Sequence, residues 1–332
     1  MNRWVEFIQS GLKQKAFEFT FSSQGDMAYK QGKVWIRKVQ EPLSKNHILQ
    51  VLTESQQQKL QENKNLKALL VFENLGKFRW TYQENELGQW FCTMKKLSQH
   101  WMDASHLQLP KITEEICKKS QGIFVIVGPK SSGKTSTMSA LLKGCQQFRS
   151  SFALYASEMN ELPHRSDQGL IQWSSLHQFQ PLSSHDILLL DEAKIDADQV
   201  ANYAEAGRLV IMTSCSPSLE NFFQNYLQSS NSKRFLDQFQ GAMGQKLLYH
   251  QNDWVPAFES WTGTDLVKQA LQNQDWQKLR RLGTDSVDAL GMRTFNQSLL
   301  QLVLKRKIEF KQGFEESPDP EELDQLLSKI GI

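Results

Sequence analysis

The densest chemistry in this chain lies at Gly128-Pro129-Lys130-Ser131-Ser132-Gly133-Lys134-Thr135, followed by Ser136. Glycines at both ends of such a turn let the backbone curl tightly and aim its N–H groups at phosphate oxygens. The helix N-terminus behind the turn favours an anion. Lys134, directly after the second glycine, is placed to neutralise β- and γ-phosphates, and the Thr135 hydroxyl to ligate Mg²⁺. Ile123–Val127, apolar throughout and mostly β-branched, reads as the buried strand that feeds the turn. Thr135 and the residues after it read as the helix that leaves it. Strand, loop and helix in that order predict binding of a nucleoside triphosphate with Mg²⁺.

A site of this kind needs a second element on a neighbouring strand. Ile187-Leu-Leu-Leu-Asp191-Glu192 supplies one, delivering two carboxylates to a strand's C-terminal edge, where ligands collect in open α/β sheets. Asp191 would hold Mg²⁺ through water. Glu192 would orient the attacking water or accept its proton. A simple acidic turn has the same composition, so the pair takes its meaning from the phosphate loop.

The rest of the composition mostly excludes. With 38 basic and 36 acidic residues the net charge is +2, and no global field points to nucleic acid. No apolar run is long enough for a membrane span, and Met1–Leu12 is patterned as an amphipathic helix rather than a signal peptide. A soluble, cytoplasmic chain is expected, reaching a membrane only through partners. Cys92, Cys117, Cys145 and Cys215 are scattered without a CxxC pair and read as buried or free thiols. The histidines, His100 and His164 among them, lack metal-ligand spacing. The tryptophans read as packing anchors, because no basic stripe accompanies them.

The frame that must position these groups divides near residue 100. Before it, Ala16–Thr20 and Lys33–Val39 read as strands, and Pro42–Leu52 and Glu54–Asn63 as helices, the second capped by Thr53. Leu69–Phe72, Gly76–Tyr82 and Gly88–Lys95 read as a strand pair or meander. Ser98–Pro110 is polar and irregular, the expected linker, and Ile112–Lys119 begins a helix. Phe152–Ala156, Ile187–Asp191 and Arg208–Thr213 are further core strands separated by helical segments. That alternation implies a mostly parallel sheet covered on both faces, an α/β fold. The tail after Gly263 is helical, with Asp319 and Pro320 opening its last helix.

Several of these stretches resemble the secretion-type ATPases of the GspE/PilT superfamily, in particular the PilT-like retraction motors of type IV pili. The similar segments are Leu109-Pro-Lys-Ile with the strand and phosphate loop, Ala206-Gly-Arg-Leu-Val-Ile-Met-Thr213, Leu75-Gly-Lys-Phe-Arg79, Gly291 to Ile308, and Asp319-Pro-Glu-Glu-Leu323. The tail segments are required by no general phosphate-loop constraint. The resemblance implies an N-terminal PAS-like α+β domain (1–100), a linker (101–110) and a RecA-like P-loop ATPase domain with C-terminal helices (111–332). It also implies a hexameric ring of this chain or of paralogues, acting on pilus machinery at an inner-membrane platform protein.

Departures from that family are as informative. Glu84 and Glu86 stand where it has arginines that reach the triphosphate, leaving Lys77 and Arg79 on that strand. The aspartate box corresponds to Ser157-Glu158-Met159-Asn160-Glu161, with one acid lost and Glu158 and Glu161 kept to polarise water. The segment Leu162 to Ser184 is shortened. The histidine box reads Ser214-Cys215-Ser216, and Cys215 lacks imidazole's donor geometry. Leu266-Val-Lys268-Gln-Ala-Leu271 lacks the retraction motif's arginine, while Glu192 is retained. Either another cation (Lys130, Arg149 or Arg208) replaces the arginines, or hydrolysis is slow. Two readings follow, an active motor ATPase and a catalytically weak accessory subunit of a pilus ATPase ring. A small-molecule kinase is disfavoured by the tail and by the absence of a lid-like basic segment.

Overall fold

Alternation of buried and more exposed residues, clearest in Gly76–Glu84, marks the first sheet. In the computed structural model, which describes residues 3–39, 41, 44–97, 104–162, 169–228, 232–251, 253–285 and 291–331, its strands are β1 (Glu18–Ser22), β2 (Asp26–Gln31), β3 (Val34–Val39), β4 (Asn65–Phe72), β5 (Gly76–Glu84) and β6 (Trp90–Lys96). They pair antiparallel in the order β3-β2-β1-β6-β5-β4. Phe78, Trp80 and Tyr82 share one buried face of β5, as a period of two requires. The helix Arg3–Lys13 buries Trp4, Phe7 and Ile8, spaced to form one helical stripe, and its rings meet Phe21 and Tyr29 edge-on or tilted. Thr53 caps the helix Glu54–Glu62 in a reciprocal capping box with Gln56.

The second sheet is built, at its centre, from apolar strands that are buried on both faces. Its strands are β7 (Gly122–Gly128), β8 (Ser151–Ser157), β9 (Gly169–Ser175), β10 (Ile187–Leu190), β11 (Leu209–Cys215), β12 (Phe239–His250) and β13 (Asp253–Thr262), in the order β13-β12-β7-β11-β10-β8-β9. From β12 to β9 every pairing is parallel. Ile123, Val125, Val127, Leu188, Leu190, Val210 and Met212 enter the core on one face. Their neighbours Phe124, Ile126, Ile187, Leu189, Leu209 and Ile211 enter the core on the other. Continuous hydrophobic runs are the signature of such doubly covered strands. The registers Gly128↔Cys215, Leu190↔Met212 and Leu190↔Ala156 bring the C-terminal ends of β7, β11, β10 and β8 to one edge.

The chain divides into two compact units, Met1–His100 with Tyr249–Trp254, and Trp101–Leu248 with Val255–Ile332. Pro42, residues 98–103 of the expected linker, and His100 and His164 lie outside the described residues. No described helix is long and apolar enough to cross a membrane. The sequence reading passed over β2, β9, β12 and β13. β9 is a polar edge strand, half exposed along its length, and β12 carries Gly241 at a register shift against β7. Both features blunt a hydrophobic period.

Candidate nucleotide site

The phosphate loop closes the gap between β7 and the helix Lys134–Phe148. Ser131 (φ 64°) and Gly133 (φ 88°) both take left-handed backbone there, and the helix opens without a side-chain cap. Its first N–H groups are therefore left for another acceptor. Gly128 admits no side chain, since an added Cβ would fall 2.3 Å from the Gln245 carbonyl oxygen and 2.5 Å from Ser132 Oγ. Pro129, Lys130 and Ser131 are exposed, Thr135 and Ser136 half-buried, and Ser132 is buried with its hydroxyl unpartnered. A tight glycine turn, uncapped N–H groups and an orphaned buried hydroxyl fit a phosphate chain.

Gln245, on β12, was missed by the sequence reading. Its carboxamide donates to the Ser132 carbonyl and accepts from Thr137 Oγ1, both at 2.7 Å, bracing the loop to the first turn of its helix. Only this fold places residue 245 there. A lone glutamine on a strand carries no motif.

Lys134 is nearly inaccessible, at 4% side-chain exposure, and its ammonium binds the Gly128 and Pro129 carbonyls at 3.0 and 2.9 Å and Glu192 Oε1 at 3.1 Å. Asp191 and Glu192 leave β10 at the same edge. Thr135 Oγ1 donates to Asp191 Oδ2 at 2.9 Å, Tyr155 OH to the same oxygen at 3.0 Å, and Thr213 Oγ1 to Oδ1 at 2.6 Å. Thr213 in turn accepts the Glu192 N–H at 2.9 Å. That bond fixes Glu192 in a left-handed backbone conformation, φ 53°, with its carboxylate half exposed towards Lys134. Thr135 and Asp191 present adjacent hard oxygens. Mg²⁺ commonly takes one or two such protein groups alongside phosphates and waters, so the pair fits it. Among the described residues no cluster of three or more His, Cys, Asp or Glu forms a metal site of its own.

The remaining expected residues are placed less centrally. Glu158 is exposed and Glu161 half-buried beyond the end of β8, where the charge of Glu161 helps to raise the Tyr155 pKa. Ser157 donates to the Met159 carbonyl at 2.6 Å and accepts from Trp173 Nε1 at 3.1 Å. Cys215 is exposed and in register with Gly128, so a thiol flanks the phosphate loop. Of the candidate replacement cations, Arg149 follows the far end of the helix Lys134–Phe148, about 20 Å from the loop at 1.5 Å per residue. Arg208 precedes β11 at the opposite sheet edge and bonds the Leu182 carbonyl at 3.3 Å. Lys130 alone of the three stands at this loop.

Glu84, in the first unit, is already bound. Lys45 Nζ reaches its Oε2 at 2.5 Å and Tyr82 OH donates to the same oxygen at 2.8 Å, which holds the carboxyl below its ordinary pKa. The Lys45 ammonium also lies 5.9 Å from the centre of the Tyr82 ring. Glu86 is exposed in the turn before β6.

No protein-family model matches the chain. A twitching motility protein of Neisseria gonorrhoeae is 21% identical over 280 residues, 78% of this chain and 74% of that protein. The type IV pilus ATPase PilU of Pseudomonas aeruginosa is 19% identical over 307 residues, 86% of this chain and 79% of its own. Among solved structures, the pilus retraction motor PilT with bound ADP superposes with a TM-score of 0.77 at 18% identity, covering 98% of this chain and all of that one (100%). The Legionella pneumophila ATPase DotB gives 0.73 at 13% identity, over 94% of each chain. The chain thus resembles the PilT-like type IV pilus ATPases as a divergent relative, and its α/β fold is theirs.

Proposed function

We propose that this chain is a PilT-like motor ATPase that couples ATP hydrolysis to retraction of a type IV pilus and so to twitching motility. In this reading residues 111–332 are a RecA-like P-loop ATPase domain with C-terminal helices, 1–100 a PAS-like domain and 101–110 the linker. Copies of the chain, or the chain with a paralogous ATPase, form a hexameric ring that acts on the inner-membrane platform protein of the pilus. The chain itself is cytoplasmic and meets the membrane only through that partner. The observation that carries the reading is the convergence of Lys134, Thr135, Asp191 and Glu192 on one edge of the parallel sheet.

Backbone N–H groups from Lys130 to Ser136 and the Lys134 ammonium hold the phosphates. Thr135 and Asp191 would hold Mg²⁺, which would supply charge neutralisation at the γ-phosphate. Glu192 orients the attacking water, with Glu158 and Glu161 as outer carboxylates that polarise it. The test is Mg²⁺-dependent ATP turnover by the purified chain, with Lys134→Ala as control and calorimetry of nucleotide binding alongside. Turnover abolished in the control supports the motor.

A second reading, an accessory subunit that binds ATP with little turnover, is favoured by Glu84 and Cys215. Glu84 is closed off by Lys45 and Tyr82, and a thiol stands beside the loop. Tight ATP binding without turnover would select it. Absence of binding would sink both.

A further inference from the structure

Asp191 is surrounded in an uncommon way for a buried carboxylate. It is 9% exposed and accepts three O–H donors, from Thr135, Tyr155 and Thr213, at 2.9, 3.0 and 2.6 Å. Among the described residues no lysine or arginine bonds it, and the neighbouring Lys134 turns to Glu192 instead. The three hydroxyls between them orient both oxygens of this carboxylate. Unlike a bonded ammonium, they leave its negative charge uncancelled. An oriented, uncancelled carboxylate is what a hard divalent cation requires of its anchor.

Two of the three donors have other duties. Thr135 belongs to the phosphate loop, and Thr213 also carries the Glu192 N–H. Tyr155 sits wholly buried in β8, and its hydroxyl is the part that reaches Asp191.

We infer that Tyr155 is a positioning residue for the metal side of the nucleotide site. Its hydroxyl pins Asp191 Oδ2 against Thr135 Oγ1, so that a fixed negative charge faces Mg²⁺. The inference rests on the nucleotide-site reading above, and the test separates the two. ATP binding is measured by calorimetry on the full chain, in Mg²⁺ and in EDTA, for wild type, Tyr155→Phe and Asp191→Asn, with a thermal melt of each.

Tyr155→Phe is expected to keep its ATP affinity in EDTA within about twofold and to lose about tenfold in Mg²⁺, the lower end of what outer-shell partners contribute to metal affinity. Asp191→Asn is expected to remove most of the Mg²⁺ response. Equal losses in EDTA and Mg²⁺, or a Mg²⁺ dependence identical to wild type, would overturn the role of Tyr155. A wild type that ignores Mg²⁺ or binds no ATP overturns the nucleotide-site reading itself, whatever the variant does.

Discussion

Two polar clusters in the second unit look alike in composition and differ in how they end. In the C-terminal one, the Asn296 carboxamide donates to the Asp319 carbonyl and Glu322 Oε2, both at 2.7 Å, and accepts from Ser317 Oγ at 2.7 Å. Thr294 donates to Glu322 Oε1 at 3.0 Å and caps the helix Phe295–Leu304 in a capping box, while Asp319 caps the helix Pro320–Lys329. Every polar group of Asn296 is used, and the cluster closes on itself. The phosphate edge does not close. Its helix is uncapped, Ser132 Oγ is orphaned, and three residues (Ser131, Gly133 and Glu192) take left-handed backbone. Burial and polarity are common to both clusters. Left-handed backbone and unfinished hydrogen bonding set the phosphate edge apart.

If that distinction is sound, substitutions at the open cluster should change chemistry and spare stability, and those at the closed cluster should do the reverse. The largest effect expected is from Glu192→Gln, which keeps shape and removes the base. Turnover should fall by about a hundredfold or more, the low end for a positioned acid–base group, with ATP affinity kept. Undiminished turnover would remove Glu192 from the mechanism. Next, Lys134→Ala should weaken ATP binding by about a hundredfold, as expected for losing a buried charge-assisted contact of about 3 kcal/mol. Its thermal midpoint should barely move. A collapse of stability instead would make the lysine's bonds to Gly128, Pro129 and Glu192 structural.

The closed cluster should answer in the opposite currency of measurement. Asn296→Leu removes three hydrogen bonds, with Ser317, Glu322 and the Asp319 carbonyl, at about 1 kcal/mol each. A domain of this size should lose about 5–10 °C in Tm, at 2–4 °C per kcal/mol. Nucleotide affinity of the folded protein should be unchanged. Lost affinity at full stability would erase the contrast between the clusters.

The two clusters were unequally legible in the sequence. Lys134, Thr135, Asp191 and Glu192 could be found because a phosphate loop compresses its chemistry into consecutive residues and an apolar run marks the strand end. Tyr155, Thr213 and Gln245 could not. Each sits in a strand as an ordinary side chain, and only the registers of β8, β11 and β12 bring it to the loop. The tail was legible as helical, down to Asp319 and Pro320 at the start of its last helix, but the Thr294, Asn296 and Glu322 clasp that holds it was not. Arg149 and Arg208 looked equivalent to Lys130 as spare cations until helix length and strand direction put them at the far edge. Of the fold, the doubly buried strands were readable from their unbroken hydrophobicity. The half-exposed β9 and the glycine-bearing β12 carried too weak a period.

Glu259 offers the smallest and most diagnostic test, because it belongs to neither cluster. It is half-buried in β13 and its Oε1 accepts one N–H, from Leu219 at 3.1 Å, at the start of the helix Leu219–Tyr226. Burial raises its pKa, the nearby Glu220 adds to this, and the Leu219 N–H opposes it. The folded state therefore holds this proton more tightly than the unfolded chain does. Stability is intact below the unfolded carboxyl's pKa, near 4.3, and is lost as pH rises from there through the raised folded value. Glu259→Gln, which cannot ionise, should raise Tm by a few degrees at pH 7.5 and by nothing at about pH 3.5. A gain of equal size at both pH values would mean that packing, not charge, had changed. A loss at pH 7.5 would mean that the ionised carboxylate has its own work at the start of that helix, and that this acid belongs with the open cluster after all.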